Sequence, residues 1–149
     1  YGYKKHISVD EEGLVLAVHT TTANEHDSKG LKEVVRKTPI KKMKKGVFAD
    51  KGFKVPNNDI LLKNKIIKNR IQHKAYRNRP LTTWEIRFNK LISKQRYKVE
   101  RTFGGMVRWF GAGKARYVGI TKTHSQHVIQ AIAYNLYRSP GIIMANCIK

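Results

Sequence analysis

The chain has 149 residues, 40% of them apolar, and sets 31 Lys and Arg against 10 Asp and Glu for a formal charge of +21. That is one domain's worth of chain with apolar content enough for a core, and a charge that repels itself unless a polyanion relieves it. Nucleic acid is therefore the first partner to expect and an anionic membrane surface the second; no run of 18 apolar residues offers a membrane span, no leader is visible, and the one cysteine, Cys147, excludes an internal disulfide and permits a reducing cytoplasm.

Ile7 and Val9 alternate with polar neighbours, as in a strand with one buried face. Glu11-Glu12-Gly13 supplies a turn, and the continuous apolar run Leu14 to Val18 reads as a second strand covered on both faces, so the two make an antiparallel hairpin. Asp27 or Ser28 can cap a helix that carries Leu31, Val34 and Val35 on one side and ends near Pro39. Val47 to Asp50 is a short central strand. Pro56, Asn57 and Asn58 open a loop or short helix ending near Asn64, and Lys65 to Ile71 reads as another strand. Residues 41–79 hold 13 Lys or Arg against two acids, a solvated basic face suited to phosphate contact.

Thr82-x-x-Glu85 is a capping-box pattern. Trp84, Phe88, Leu91, Ile92, Val99 and Phe103 then recur at helical spacing, which predicts one long helix from Thr83 to Phe103, stopped by Gly104-Gly105. Thr123-x-x-Gln126 repeats the capping pattern. Val128, Ile129, Ile132, Ala133 and Leu136 mark a final amphipathic helix that Ser139-Pro140-Gly141 should end.

Two acids stand out against the basic background. Glu100 is alone among cations in Arg96-Tyr97-Lys98-Val99-Glu100-Arg101, at the edge of the apolar stripe. Asp50 ends the apolar run Gly46-Val47-Phe48-Ala49. A carboxylate in such company makes sense if it holds a divalent metal while the cations hold phosphates. Phosphodiester cleavage needs an activated water and relief of charge on the phosphate, which two divalent ions about 3.5–4 Å apart supply. Magnesium takes oxygen ligands, and a strand-end Asp and a helix-borne Glu offer them from rigid supports. The plainer readings are a turn cap before Gly52 for Asp50, and for Glu100 an i,i−4 ion pair with Arg96 contributing about 0.2–0.5 kcal/mol.

These segments carry a resemblance. Ala49-Asp50-Lys51-Gly52-Phe53, then Arg96-x-x-x-Glu100, then Lys114-Ala115-Arg116-Tyr117-Val118-Gly119 resemble, in order, the C-terminal half of a DDE transposase from a bacterial insertion sequence. The opening Tyr1-Gly2-Tyr3-Lys4-Lys5-His6-Ile7-Ser8-Val9-Asp10 and Thr22-Ala23-Asn24-Glu25-His26-Asp27 fit as well, so the likeness runs from Tyr1 to about Arg138. It implies an α/β, RNase-H-like mixed sheet with flanking helices, truncated at the N-terminus, forming a single domain over residues 1–149. It implies Mg2+ or Mn2+ held by an Asp-Asp-Glu triad, with the second Asp at Asp50, the Glu at Glu100, and the first Asp on a strand upstream of Tyr1. The partners it implies are the DNA of the element's termini and target, the N-terminal half of the same transposase, and further copies in the active complex, in the bacterial cytoplasm at the nucleoid. Since the chain opens on Tyr rather than Met, a fragment, a processed product or part of a split reading frame is expected, inactive alone.

The resemblance makes Arg96 a phosphate-binding residue, with Arg101, Arg108, Lys114 and Arg116 as further DNA contacts. The family's cation seven residues after the Glu is Val107 here, and Arg108 is the nearest substitute. Asp10 aligns with a non-catalytic acid before the hairpin turn. His26 and Asp27 sit where the resemblance suggests a pair supporting the site's edge. Trp84, Trp109 and Phe110 could stack on a flipped base, but core packing is the expectation. No zinc spacing, nucleotide-binding glycine loop or Ser or Cys nucleophile pattern is present. The rival class is a non-catalytic basic nucleic-acid-binding domain, which metal dependence and not charge separates from the enzyme, and a weaker one is a ribosome-associated protein, which gives no reason for the placing of Asp50.

Overall fold

The computed structural model describes residues 2–147, in the order β1 (Tyr3–Val9), β2 (Val15–Thr22), α1 (Asp27–Lys37), β3 (Val47–Ala49), α2 (Pro56–Asn64), β4 (Asn69–Ile71), α3 (Thr83–Phe110) and α4 (Ile120–Cys147). Short 3-10 turns at Ile40–Met43 and Lys51–Phe53 flank β3. The class is mixed α/β, as expected, but the strands form two separate two-stranded sheets.

The first sheet is the expected hairpin. β1 and β2 run antiparallel from Tyr3 opposite Thr22 to Val9 opposite Val15, with a bulge at Ser8 and Val9. Asp10 serves the turn: its carboxylate accepts from the backbone N–H groups of Glu12 and Leu14 and pairs with Lys42. Helices α1 and α4 both pack on β2, which accounts for its unbroken apolar opening. The cap of α1 is His26 rather than Asp27 or Ser28; its Nδ1 accepts from the Ser28 N–H.

The second sheet pairs β3 with β4 in parallel, Val47 opposite Asn69 and Ala49 opposite Ile71. Gly46 permits it: at φ +103 its backbone approaches Lys68 so closely that a Cβ would meet the Lys68 carbonyl oxygen at 2.5 Å. β4 is shorter than the run Lys65 to Ile71 suggested, because Ile66 turns the chain at φ 55, fully outside the sheet.

Two apolar clusters hold the fold. Leu31, Val35, Met43, Ala49, Leu62, Ile67 and Ile71 join α1, α2 and the second sheet. Val15, Val18, Met106, Ala131 and Tyr134 join the hairpin to α3 and α4. Leu62 and Met106 are wholly buried, and each such side chain contributes about 1.5–3 kcal/mol.

Both long helices overrun their expected ends. The Thr82–Glu85 capping box forms as read, but α3 passes through Gly104-Gly105 to a left-handed cap at Gly111. Gly105 is there for proximity: a Cβ would lie 2.8 Å from the Tyr134 ring on α4. α4 likewise passes through Pro140 to Cys147, and Thr123 lies inside it. Its buried face is also different, being Thr123, Gln126, His127, Gln130, Ala131 and Tyr134, while Ile129, Ile132 and Leu136 face outward.

Candidate active site

Between the two sheets lies a cavity of about 670 Å³. Successive residues of β1, from Lys5 to Val9, form one wall, and Val47 to Ala49 of β3 form another. α1 and α3 close it with Leu31, Val34, Ile92, Val99 and Phe103. Since β1 pairs only with β2, and β3 only with β4, each strand has an unpaired edge. Asp50, Arg96 and Glu100 also line this cavity.

These three are brought together from distant parts of the chain. Asp50 sits where β3 ends; α3 carries Arg96 and Glu100 one turn apart, hence on one face. One Arg96 guanidinium nitrogen lies 3.5 Å from Asp50 Oδ1, and the other lies 3.4 Å from Glu100 Oε1. Both carboxylates thus converge on a single side-chain head. The plainer readings hold at the same time, since Asp50 accepts from the Lys51 N–H at 2.7 Å and Glu100 makes the i,i+4 pair. Asp50 and Glu100 keep 43% and 62% of their side-chain surface exposed against 25% for Arg96, so the acids remain open to an incoming ligand.

Sequence reading missed Gln72. It is buried beside β4, its amide oxygen accepts from Arg96 Nη1 at 3.3 Å, and its nitrogen donates to Ser93 Oγ and the Asn89 carbonyl. Nothing in its unpatterned neighbourhood signalled this. The cavity thus presents two carboxylates, oxygen donors of the kind hard divalent cations take, while the Gln72 oxygen lies outside its lining and serves Arg96. Among the described residues no group of three or more His, Cys, Asp or Glu stands ready to hold a metal.

The other expected contacts lie elsewhere. Arg101, Arg108, Lys114 and Arg116 are exposed, and none lines the cavity. Arg108 lies over the Trp109 ring at 4.9 Å. Lys114 and Arg116 occupy the α3–α4 loop, whose backbone Gln126 holds by bonding the Lys114 carbonyl and the Arg116 N–H. The cations that do line the cavity beside Arg96 include Arg70, Lys94 and Lys98; the i,i+4 spacing of the two lysines on α3 was the available signal. Trp84 and Trp109 are exposed, not packed in a core, whereas Phe110 packs against the second cluster. Trp84 stacks on Phe88 with His73 at its edge. His26 is spent on its cap, and Asp27 pairs with Lys4 at 3.0 Å.

Comparison with known proteins follows the same line. Residues 1–136 match the family model of the transposase DDE domain. The chain is 37% identical over 146 residues to the transposase for insertion sequence element IS1106 of Neisseria meningitidis serogroup B. That alignment takes in 97% of this chain and 49% of the relative, so the chain spans about half the length of the curated protein it matches. No solved structure matches. The chain belongs to the DDE transposase domain family. None of its described helices is long and apolar enough to cross a membrane.

Proposed function

We propose that this chain carries the second Asp and the Glu of a transposase catalytic centre, Asp50 and Glu100, which cleaves and rejoins DNA at insertion-sequence ends. The observation that carries this reading is the shared guanidinium: Arg96 holds both carboxylates at the mouth of one cavity. Asp50 and Glu100 would hold Mg2+ or Mn2+, which when bound relieves charge on the phosphate and activates water. Arg96 offsets the repulsion between the two acids, and with Lys94, Lys98 and Arg70 beside it would hold a phosphate and position the strand.

The cavity bears on the missing ligand. An apolar space walled by two unpaired strand edges fits an added strand, which satisfies both edges with main-chain hydrogen bonds. In this reading the N-terminal half of the transposase supplies that strand with the first Asp, completing one mixed, RNase-H-like sheet in a single domain. The 149 residues alone are then inactive. The partners are terminal and target DNA and further copies of the transposase, at the bacterial nucleoid. Arg101, Arg108, Lys114 and Arg116 would contact DNA away from the reacting phosphate.

The test uses the complete transposase on DNA carrying an element end. Asp50→Ala and Glu100→Ala should each abolish cleavage and strand transfer while leaving DNA binding within a few-fold, because neither acid helps to hold phosphates. If both variants still cut, the assignment is wrong. A non-catalytic basic domain would instead bind DNA indifferently to divalent ions and to both substitutions.

A further inference from the structure

The loop between α3 and α4, residues 111–119, is irregular yet tied down. Gly111 at φ +61 and Gly119 at φ +100 turn the chain at its two ends. Gln126 accepts from the Arg116 N–H at 2.9 Å and donates to the Lys114 carbonyl at 2.8 Å. The Thr123 hydroxyl donates to the Tyr117 carbonyl at 3.1 Å, and the Gly119 N–H donates to the Tyr3 hydroxyl at 2.7 Å. Gln126 and Thr123 are buried on α4, so water competes little for their bonds. The backbone is thus fixed, while every side chain from Lys114 to Val118 is exposed. At the tip Tyr117 keeps 52% of its surface in water and Val118 keeps 90%. Packing within this chain gives no account of a rigid loop that holds an adjacent aromatic and aliphatic pair out in solvent.

Charge says what meets this tip. No Asp or Glu follows Glu100 in the sequence, so Lys114 and Arg116 before the tip and Lys122 after it lie in a stretch with no acid to neutralise them. A fitting partner offers anions on both sides of an apolar gap. A DNA duplex has that order, with phosphates flanking stacked bases, and apolar side chains that enter between base steps unstack and kink it. A rigid tip suits the task, since a mobile loop would have to be ordered at the moment of binding. The loop also stands at a definite distance from the candidate active site. α3 ends at Phe110, about 15 Å beyond Glu100 at a rise of roughly 1.5 Å per residue. We propose that the Tyr117-Val118 tip is a DNA wedge. It enters the duplex roughly four or five base pairs from the reacting phosphate, at about 3.4 Å per pair, while Lys114, Arg116 and Lys122 hold the backbones on either side. The wedge rests on the proposed function for its DNA partner and, in its position along the duplex, on Glu100.

Unstacking is read with the complete transposase on element-end duplexes that carry, at one step after another, a fluorescent adenine analogue that brightens when it loses its stacking neighbours. Divalent ions are chelated, so no strand is cut. The wild type should brighten the analogue roughly four or five pairs from the reacting phosphate. The double variant Tyr117→Ala, Val118→Ala should abolish that rise at saturating protein with Tm unchanged. A mismatch at the same step is already easier to unstack, so the wild type should bind it severalfold more tightly than paired DNA and the double variant should not. Lys114→Ala should keep the rise at saturation and lower the slope of log affinity against log salt by about one. Val118→Ser alters a side chain already 90% exposed, so it folds whatever becomes of the double variant, and it should at least halve the rise. A wild-type complex in which no step brightens overturns the wedge, as does a rise that survives the double variant. A fall in Tm for Val118→Ser also overturns it, since the tip would then be packed against the rest of the polypeptide. These failures leave the catalytic reading standing, because the assay needs neither metal nor cleavage; cutting by both Asp50→Ala and Glu100→Ala would sink that reading and leave the brightening unaffected.

Discussion

Gln72 accepts a hydrogen bond from Arg96 at 3.3 Å while its own amide nitrogen donates to Ser93 at 2.7 Å, so a neutral buried side chain sets the direction of the guanidinium that joins Asp50 to Glu100. Gln72→Leu keeps the volume and removes these two bonds together with the one to the Asn89 carbonyl. The change should cost about 1–3 kcal/mol, because Ser93 and the buried side of Arg96 lose a partner. Thermal unfolding would read that loss. In the complete transposase, cleavage should fall while DNA affinity holds.

Arg96→Met should raise the affinity for Mn2+ in the absence of DNA. The guanidinium competes with any cation for the same two carboxylates. Partly exposed pairs of this sort contribute about 0.2–1 kcal/mol each, so the loss of both should tighten binding roughly two- to thirtyfold. Calorimetric titration measures it. An unchanged or weaker affinity would mean that Asp50 and Glu100 do not share an ion. Cleavage should be lost in either case, for want of a phosphate contact.

Gly30→Ala should destabilise the fold. In an open helix the exchange gains about 1 kcal/mol. On α1, however, the new Cβ would lie 2.7 Å from the His6 ring, which is itself held by Thr21 at 3.0 Å. The ring has little room to yield, and overpacking of that kind costs about 1–3 kcal/mol. Denaturant unfolding should show a net loss, and a gain would show that β1 and α1 separate easily.

Acid should weaken the contact between α4 and the hairpin. Burial first, then the nearby charges of Lys5 and His124, lowers His127 from 6.5 to about 4. In the unfolded chain it takes up a proton near 6.5, so its contribution is complete above that pH and is lost as pH falls from 6.5 through 4. Its Nδ1 lies 2.8 Å from Thr20 Oγ1, which also lies 3.1 Å from His124. His127→Gln removes the titration, so its Tm should fall less than the wild type's between pH 6.5 and 4.5. Parallel curves would show that the group titrates normally.

Much of the fold could be read along the chain because its causes are local. The hairpin turn, the stripe of α1, the β3 run into Asp50 and the Thr82–Glu85 cap each rest on neighbours in sequence. The misreadings were tertiary in origin. Gly104-Gly105 looks like a stop, but Gly105 is needed for the approach of Tyr134. Ile129, Ile132 and Leu136 look like a core stripe, but the loop and strand groups that Gln126, Gln130 and Asn135 satisfy turn the helix the other way. Asp50 and Glu100 were legible as acids out of place among cations. Gln72, equally involved, carries no charge to betray it.

The flank formed by α4, with Lys122 and Arg138 as its only Lys or Arg, makes the molecule electrically lopsided. Most of its cations lie on the remaining surface, so a polyanion at a distance exerts a torque as well as a pull. The body turns before it touches, with α4 trailing and the basic side leading. Such pre-alignment speeds capture without adding any contact, and it fades as ionic strength shortens the reach of the field.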